Sequence, residues 1–141
     1  MTAVSGTLLA FDFGERRIGV AVGETSTRIA SPLSAIDSRT VASTFDAIAG
    51  LVREWQPAAF VIGKPQHSNG SVHEMAARVE KFARRLAGRH DLPVFFVDET
   101  LTSVEAEATL RDTRTRAGRR GDVDALAATL ILQAFLDDNA A

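Results

Sequence analysis

The chain has 141 residues, 45% hydrophobic and 24% charged. That is ordinary globular composition, and a chain of this length buries roughly 68–70% of its extended surface, enough for one real core. Sixteen Lys+Arg against eighteen Asp+Glu leave a net charge of −2, so any affinity for a polyanion must come from uneven charge placement. The absence of Cys excludes disulfide scaffolds, thiolate zinc sites and cysteine nucleophiles. No apolar run reaches the ~18 residues of a membrane span. Asp12 interrupts the apolar start at Leu8–Phe11 and no cationic segment precedes it, so a signal peptide is not expected. The expectation is one domain over residues 1–141, cytoplasmic, monomeric or homodimeric, and without a membrane partner.

Thr7–Phe13 is a mostly apolar run suited to a buried strand, and Gly14–Arg17 reads as a turn. Ile18–Val22 resumes strand character. A third strand is expected near Ile29–Ile36, where Pro32 favours an edge position because it cannot donate to a ladder. The period then changes. Val41, Phe45, Ile48, Val52 and Trp55 lie on one helical face, and Pro57 ends that helix. Ala58–Ile62 is a short buried strand, and Lys64–Gly70 a loop. Ser71 and Glu74 have capping-box spacing before a second stripe of Met75, Val79, Phe82 and Leu86. Gly88 and Asp91–Pro93 punctuate, and Val94–Val97 is another strand. Thr102 and Glu105 open a third helix by the same capping logic. Arg111–Gly121 is polar and aperiodic. Asp122 then caps a last helix, with Val123, Ala127, Leu130, Ile131, Ala134 and Phe135 as its apolar face. The order βββαβαβαα predicts an α/β fold whose later crossovers pair strands in parallel under covering helices.

In such sheets ligands gather at the carboxyl ends of the parallel strands, and acidic residues stand there in this chain. Asp12 sits inside an apolar run, where a lone carboxylate loses hydration unless it is paired or bound to a cation. Asp98-Glu99 ends the Val94–Val97 strand, and Asp124 opens the last helix. Taken singly, each has a plain structural explanation: turn N–H groups for Asp12, a solvated loop for Asp98-Glu99, the helix dipole for Asp124. Gathered at one sheet edge they repel one another and ask for a cation. His67, His73 and His90 are not at metal-ligand spacing, so the donor set is oxygen-only, which favours Mg²⁺ or Mn²⁺ over Zn²⁺. Two such ions about 4 Å apart are the standard device for phosphodiester cleavage.

Charge placement adds to this. Arg111, Arg114, Arg116, Arg119 and Arg120 fall within ten residues just before Asp124. Charge runs are usually solvated, yet Arg suits bidentate phosphate contacts and a basic arm beside a metal site suits a nucleic-acid substrate. Lys64 is a second candidate phosphate contact, whereas His67, Ser68 and Asn69 read as turn chemistry. Gly14 and Gly19 belong to no nucleotide-binding glycine motif.

Leu8–Gly14 running on into Arg17-Ile18-Gly19-Val20-Ala21-Val22-Gly23 resembles the opening of the bacterial YqgF/RuvX family. Val61-Ile62-Gly63-Lys64-Pro65, Asp98-Glu99-Thr100-Leu101-Thr102-Ser103 and Gly121–Ala128 match its later blocks in order, so the resemblance spans nearly the whole chain. It implies an RNase H-like mixed five-stranded sheet of order 3-2-1-4-5, strand 2 antiparallel, with helices on both faces. It also implies a divalent-metal nuclease that matures the 5′ end of small-subunit ribosomal RNA, acting on pre-rRNA in ribosomal precursor particles, or that resolves branched DNA such as Holliday junctions. The acidic triad carried over is Asp12, Glu99 and Asp124, as catalytic and metal-binding residues, with Lys64, Arg114, Arg116, Arg119 and Arg120 on the substrate. Thr100 stands where the family usually has Arg, and Lys64 where it usually has Leu. The competing reading is a nucleic-acid-binding module on the same fold without turnover. Asp12-Phe13-Gly14 also resembles the first phosphate loop of actin-like kinases, but those enclose nucleotide between two such domains and this chain is too short for two.

Overall fold

The computed structural model describes residues 4–65, 70–98 and 120–138. Its sheet has five strands: β1 (Thr7–Asp12), β2 (Arg17–Glu24), β3 (Ile29–Asp37), β4 (Ala59–Lys64) and β5 (Val94–Asp98), in the order β3-β2-β1-β4-β5. β2 is antiparallel to β1 and β3, and β4 is parallel to β1 and β5. This is the RNase H-like sheet expected from the sequence. The described helices are α1 (Val41–Trp55), α2 (Gly70–His90) and α3 (Arg120–Asp138). The helix expected from Thr102 lies outside the described residues.

β1 is central because both of its faces are apolar. Leu8 and Ala10 join the α3-side core, while Leu9 and Phe11 join the core under α1 and α2, all fully buried. A strand covered on both faces loses the polar alternation of a half-exposed one. β3 is an edge strand, as Pro32 implied. The β2–β3 register slips between Val20 and Ala21, where Ser34 and Pro32 are their respective partners. Leu33 is thus an extra residue, and the bulge accommodates a proline that has no N–H to give.

α1 starts where Thr40 accepts the Ser43 N–H at 3.1 Å and stops at Gln56, in the left-handed region at φ 46°. Phe45 and Ile48 fill the core as predicted, but Val41 is 50% exposed. α2 runs through Gly88 rather than stopping there, and it begins at Gly70, so Ser71 stands inside the helix. One interior glycine costs only about 1 kcal/mol against alanine, which the buried Phe82–Leu86 stripe outweighs. The turn out of α2 is made by Asp91, at φ 53°, whose N–H reaches the Ala87 carbonyl at 2.9 Å.

α3 corrects the sequence reading twice. It begins at Arg120, two residues before the expected cap at Asp122. Its buried face is Ala125, Ala128, Ile131, Leu132, Phe135 and Leu136, so Val123, Ala127, Leu130 and Ala134 are only half-buried. The helix is apolar around its circumference, and period alone could not choose a side. The choice is made by β2. Gly19, Ala21 and Gly23 alternate with Ile18, Val20 and Val22, so one face of β2 is a trough of small residues. A Cβ on Gly23 would come within 3.0 Å of Leu132 and 3.3 Å of Leu136.

His90 closes α2 with its Nε2 buried and without a hydrogen-bond partner among the described residues, its ring 5.8 Å from Phe60. Burial, with help from the Arg89 charge, pushes its pKa below the ordinary 6.5. The native state therefore holds fewer protons than the unfolded chain once pH falls below 6.5, and stability must fall with it. The melting temperature is expected to drop between pH 7 and pH 5.5, with a smaller drop in His90→Leu. Equal pH profiles in the two proteins would contradict this.

Candidate active site

The carboxyl ends of β1, β3, β4 and β5 share one edge of the sheet. Asp12 is the last residue of β1, half-buried, and alternation after Leu8 and Ala10 puts it on the α3 face. Its register partner on β2 is Gly19. α3 passes over this same glycine. A Cβ on Gly19 would lie 1.9 Å from the Asp124 carbonyl oxygen and 3.1 Å from the Ala125 nitrogen. Only a glycine allows that approach, and it sets the second turn of α3, with Asp124, beside the end of β1. Two of the three predicted carboxylates thus flank one residue although they are far apart in sequence.

Arg17, on the same face of β2 as Gly19, donates from Nε to Asp124 Oδ2 at 2.6 Å. The side chains are 35% and 26% exposed, so this is a partly solvated, charge-assisted bond rather than a buried one. The pairing of Arg17 with Asp124 is a part of the site that sequence reasoning missed. The pair spans 107 positions and no local spacing signals it. Gly19 was also missed as a site residue, although its alternation with Ala21 and Gly23 marks the trough.

Other candidates fall elsewhere. Lys64 follows Phe60 and Ile62 on the α1/α2 face, opposite the carboxylates. It bonds Glu80 at 3.2 Å and lies 5.1 Å from the centre of the Phe96 ring. Asp98, the register partner of Lys64, ends β5 on the face of Val94 and Phe96, away from α3. β5 is two places from β1, about 10 Å across the sheet. Glu99, Arg111, Arg114, Arg116, Arg119, His67, Ser68 and Asn69 lie outside the described residues, and Arg120 is the first residue of α3. Among the described residues no group of three or more His, Cys, Asp or Glu side chains is gathered for a metal. The donors at hand are the two carboxylates around Gly19. Hard carboxylate oxygens at the carboxyl edge fit Mg²⁺ or Mn²⁺, and the Arg17 guanidinium already places a positive charge against one of them.

The model of the RuvX family, described as Holliday junction resolvase, matches residues 6–138. The chain belongs to the RuvX family. Among curated relatives, a Dechloromonas aromatica protein named "Putative pre-16S rRNA nuclease" is 51% identical over 133 residues, covering 94% of this chain and 91% of the relative. A Neisseria meningitidis serogroup C protein of the same name is 48% identical over 136 residues, covering 96% and 90%. Among solved structures, Thermus thermophilus RuvC in complex with Holliday junction substrate superimposes with a TM-score of 0.65 at 12% identity, over 95% of this chain and 96% of that one. The yeast mitochondrial Holliday junction resolvase Ydc2 gives 0.60 at 11%, over 99% and 81%. At such identities these two establish the shared RNase H-like fold. Among the described residues of this RuvX chain, no helix is long and apolar enough to cross a membrane.

Proposed function

We propose that this RuvX protein is a divalent-metal-dependent nuclease acting on structured nucleic acid in the cytoplasm. The precursor of 16S ribosomal RNA, within precursor particles, is its first candidate substrate, and branched DNA its second. The observation that carries the reading is the convergence of Asp12 and Asp124 on Gly19, at the carboxyl edge of the sheet. The names of the relatives at 51% and 48% identity favour RNA, and the description of the family model favours junction DNA as the other substrate.

Asp12, Asp124 and Glu99, which follows β5 directly, are the residues that would hold Mg²⁺ or Mn²⁺. Such an ion, when bound, activates the attacking water and stabilises the leaving oxygen of the phosphodiester. The chain's own groups do the rest. The carboxylates of Asp12 and Asp124 are held by strand and helix backbone rather than by a loop, so they are positioned before substrate arrives. Arg17 neutralises Asp124 in the absence of a cation, and with one held there its guanidinium would be free for a phosphate oxygen. Arg114, Arg116, Arg119 and Arg120 supply the basic arm, and Lys64 a further phosphate contact once released from Glu80.

Incubation of the purified protein with pre-16S rRNA and with a four-way DNA junction, with and without Mn²⁺, tests the reading. Cleavage only with metal is expected, and faster on the RNA. Tight binding of both without cleavage would favour a binding module. Metal affinity of the free protein should be weak, because Mg²⁺ sites of this kind complete their shell with substrate phosphates. Arg17→Gln should tighten Mn²⁺ binding by up to about fivefold, matching the ~0.2–1 kcal/mol of a solvent-accessible ion pair. Calorimetry showing weaker Mn²⁺ binding in Arg17→Gln would contradict the competing-cation role.

A further inference from the structure

The carboxyl edge has a second concavity, on the face opposite Asp124. A cavity of about 230 Å³ lies between the β1–β2 turn, the start of α1 and α2. One wall is Phe13, the residue after Asp12, whose ring is 5.1 Å from that of Phe82. Val41 stands at the mouth, 50% exposed, the one residue of the α1 stripe that leaves the core. The β1–β2 turn is fixed in place. Gly14 has no room for a Cβ, which would sit 2.5 Å from the Arg17 carbonyl oxygen, and the Ser38 hydroxyl donates to the carbonyls of Gly14 and Glu15 at 3.3 and 3.2 Å.

The rim is basic. Arg78, Lys81, Arg85 and Arg89 recur on α2 at helical spacing, which makes one cationic stripe beside the buried Val79–Leu86 face. Arg89 covers Phe45 at 4.3 Å, and Arg78 bonds Glu15 at 2.9 Å. From the far side Arg39 joins the rim, held by Asp37, whose carboxyl its hydrogen bonds keep below the usual range. Among the described residues no ion pair engages Lys81 or Arg85, two exposed cations that line the cavity. They are about 6 Å apart along the helix axis, comparable to the step between phosphates of one strand.

We propose that this cavity is a nucleotide subsite, which receives one base of the strand whose backbone lies at Asp12 and Asp124. The base packs on Phe13 and Val41, and the adjoining phosphates meet Lys81 and Arg85. The proposal rests on the nuclease reading for its choice of ligand. Three observations favour a polynucleotide. Four cations line the cavity, Arg39, Arg78, Lys81 and Arg85, and only the first two are paired with carboxylates, Asp37 and Glu15, among the described residues. The volume is below the roughly 300–1,000 Å³ of sites for drug-sized ligands, so it fits one base and not a dinucleotide. Phe13 adjoins Asp12, so a strand crossing the sheet edge meets the carboxylates and the cavity within about one residue of protein backbone, ~3.8 Å.

The test uses the full chain in EDTA, so that binding is read without cleavage. The probe is a fluorescent single-stranded RNA of about twelve nucleotides, within the site sizes such proteins cover. In Lys81→Gln/Arg85→Gln the slope of log affinity against log salt should be shallower by about 0.7 per lost contact, so up to about 1.4. One abasic position in the probe should weaken wild-type binding on the order of tenfold, as loss of a stacked base does. That penalty should vanish in Val41→Asp, where an acid in the first turn suits the helix but repels a strand from the mouth. An unchanged salt slope, or an abasic penalty that persists in Val41→Asp, would overturn the subsite. Cleavage is scored separately in Mn²⁺, so a protein that binds with this signature but does not cut contradicts the nuclease reading alone.

Discussion

Gly19→Ala is expected to damage both stability and cleavage more than alanine at Gly6, Gly14, Gly23, Gly50 or Gly88. The new Cβ would sit 1.9 Å from the Asp124 carbonyl oxygen and 2.4 Å from its carbon, and both are backbone atoms of α3 that no rotamer change can move. The helix must lift by more than an ångström. It then loses contact along the trough, where Leu132 and Leu136 lie over Gly23. Overpacking of this kind costs about 1–3 kcal/mol. Alanine recovers at most about 1 kcal/mol through its better strand propensity. For a chain of this size a net 2 kcal/mol corresponds to roughly 5–10 °C in melting temperature. Asp124 travels with the helix, and a misplacement of about 1 Å at a reacting centre is worth up to about 10²-fold in rate. Gly88→Ala is the matched control. An added Cβ there meets nothing within 4 Å, and alanine in a helix is favoured by about 1 kcal/mol, so that variant should melt higher. Equal stability and activity of Gly19→Ala and wild type would mean that α3 does not rest on β2 as described.

Asp12→Asn is expected to leave the fold intact and remove the chemistry. The side chain is half-buried at the end of a strand whose register with Gly19 is made by backbone, so an isosteric amide disturbs no ladder. It does remove a formal charge from a site whose other described donor is Asp124. Losing a mere supporting partner of a metal ligand costs about 10–100-fold, and losing a ligand should exceed that. Binding of RNA should hold or tighten, since one negative charge leaves a surface that faces phosphates. Single-turnover cleavage and circular dichroism together decide the matter. A wild-type rate would remove Asp12 from the catalytic set, and an unfolded variant would make it a structural carboxylate.

Much of this was legible in the sequence where one physical cause dominates. β1 announces itself because a strand buried on both faces is a continuous apolar run, and α1 because Phe45, Ile48, Val52 and Trp55 keep helical spacing up to the stop at Pro57. The edge position of β3 follows from Pro32. The family blocks led to Asp12 and Asp124, and the structure sets both around Gly19. The face of α3 was not legible, because a helix apolar all round has no preferred side until a partner supplies one. That partner is β2, and its small-residue alternation at Gly19, Ala21 and Gly23 was the available signal. The Arg17–Asp124 bond joins distant segments with no local trace. The cationic stripe of α2 was readable at Arg78, Lys81, Arg85 and Arg89, but it stands beside a stronger apolar stripe that explains the helix without it.

Asp12 and Asp124 together are expected to hold the catalytic cation. Anomalous diffraction from crystals of the protein grown with an RNA strand and Mn²⁺ tests it most directly. A manganese peak with oxygens of both carboxylates at about 2.1 Å and Arg17 turned away from Asp124 is expected. A manganese peak elsewhere, with the Arg17–Asp124 bond still closed in crystals that cut RNA, would contradict it.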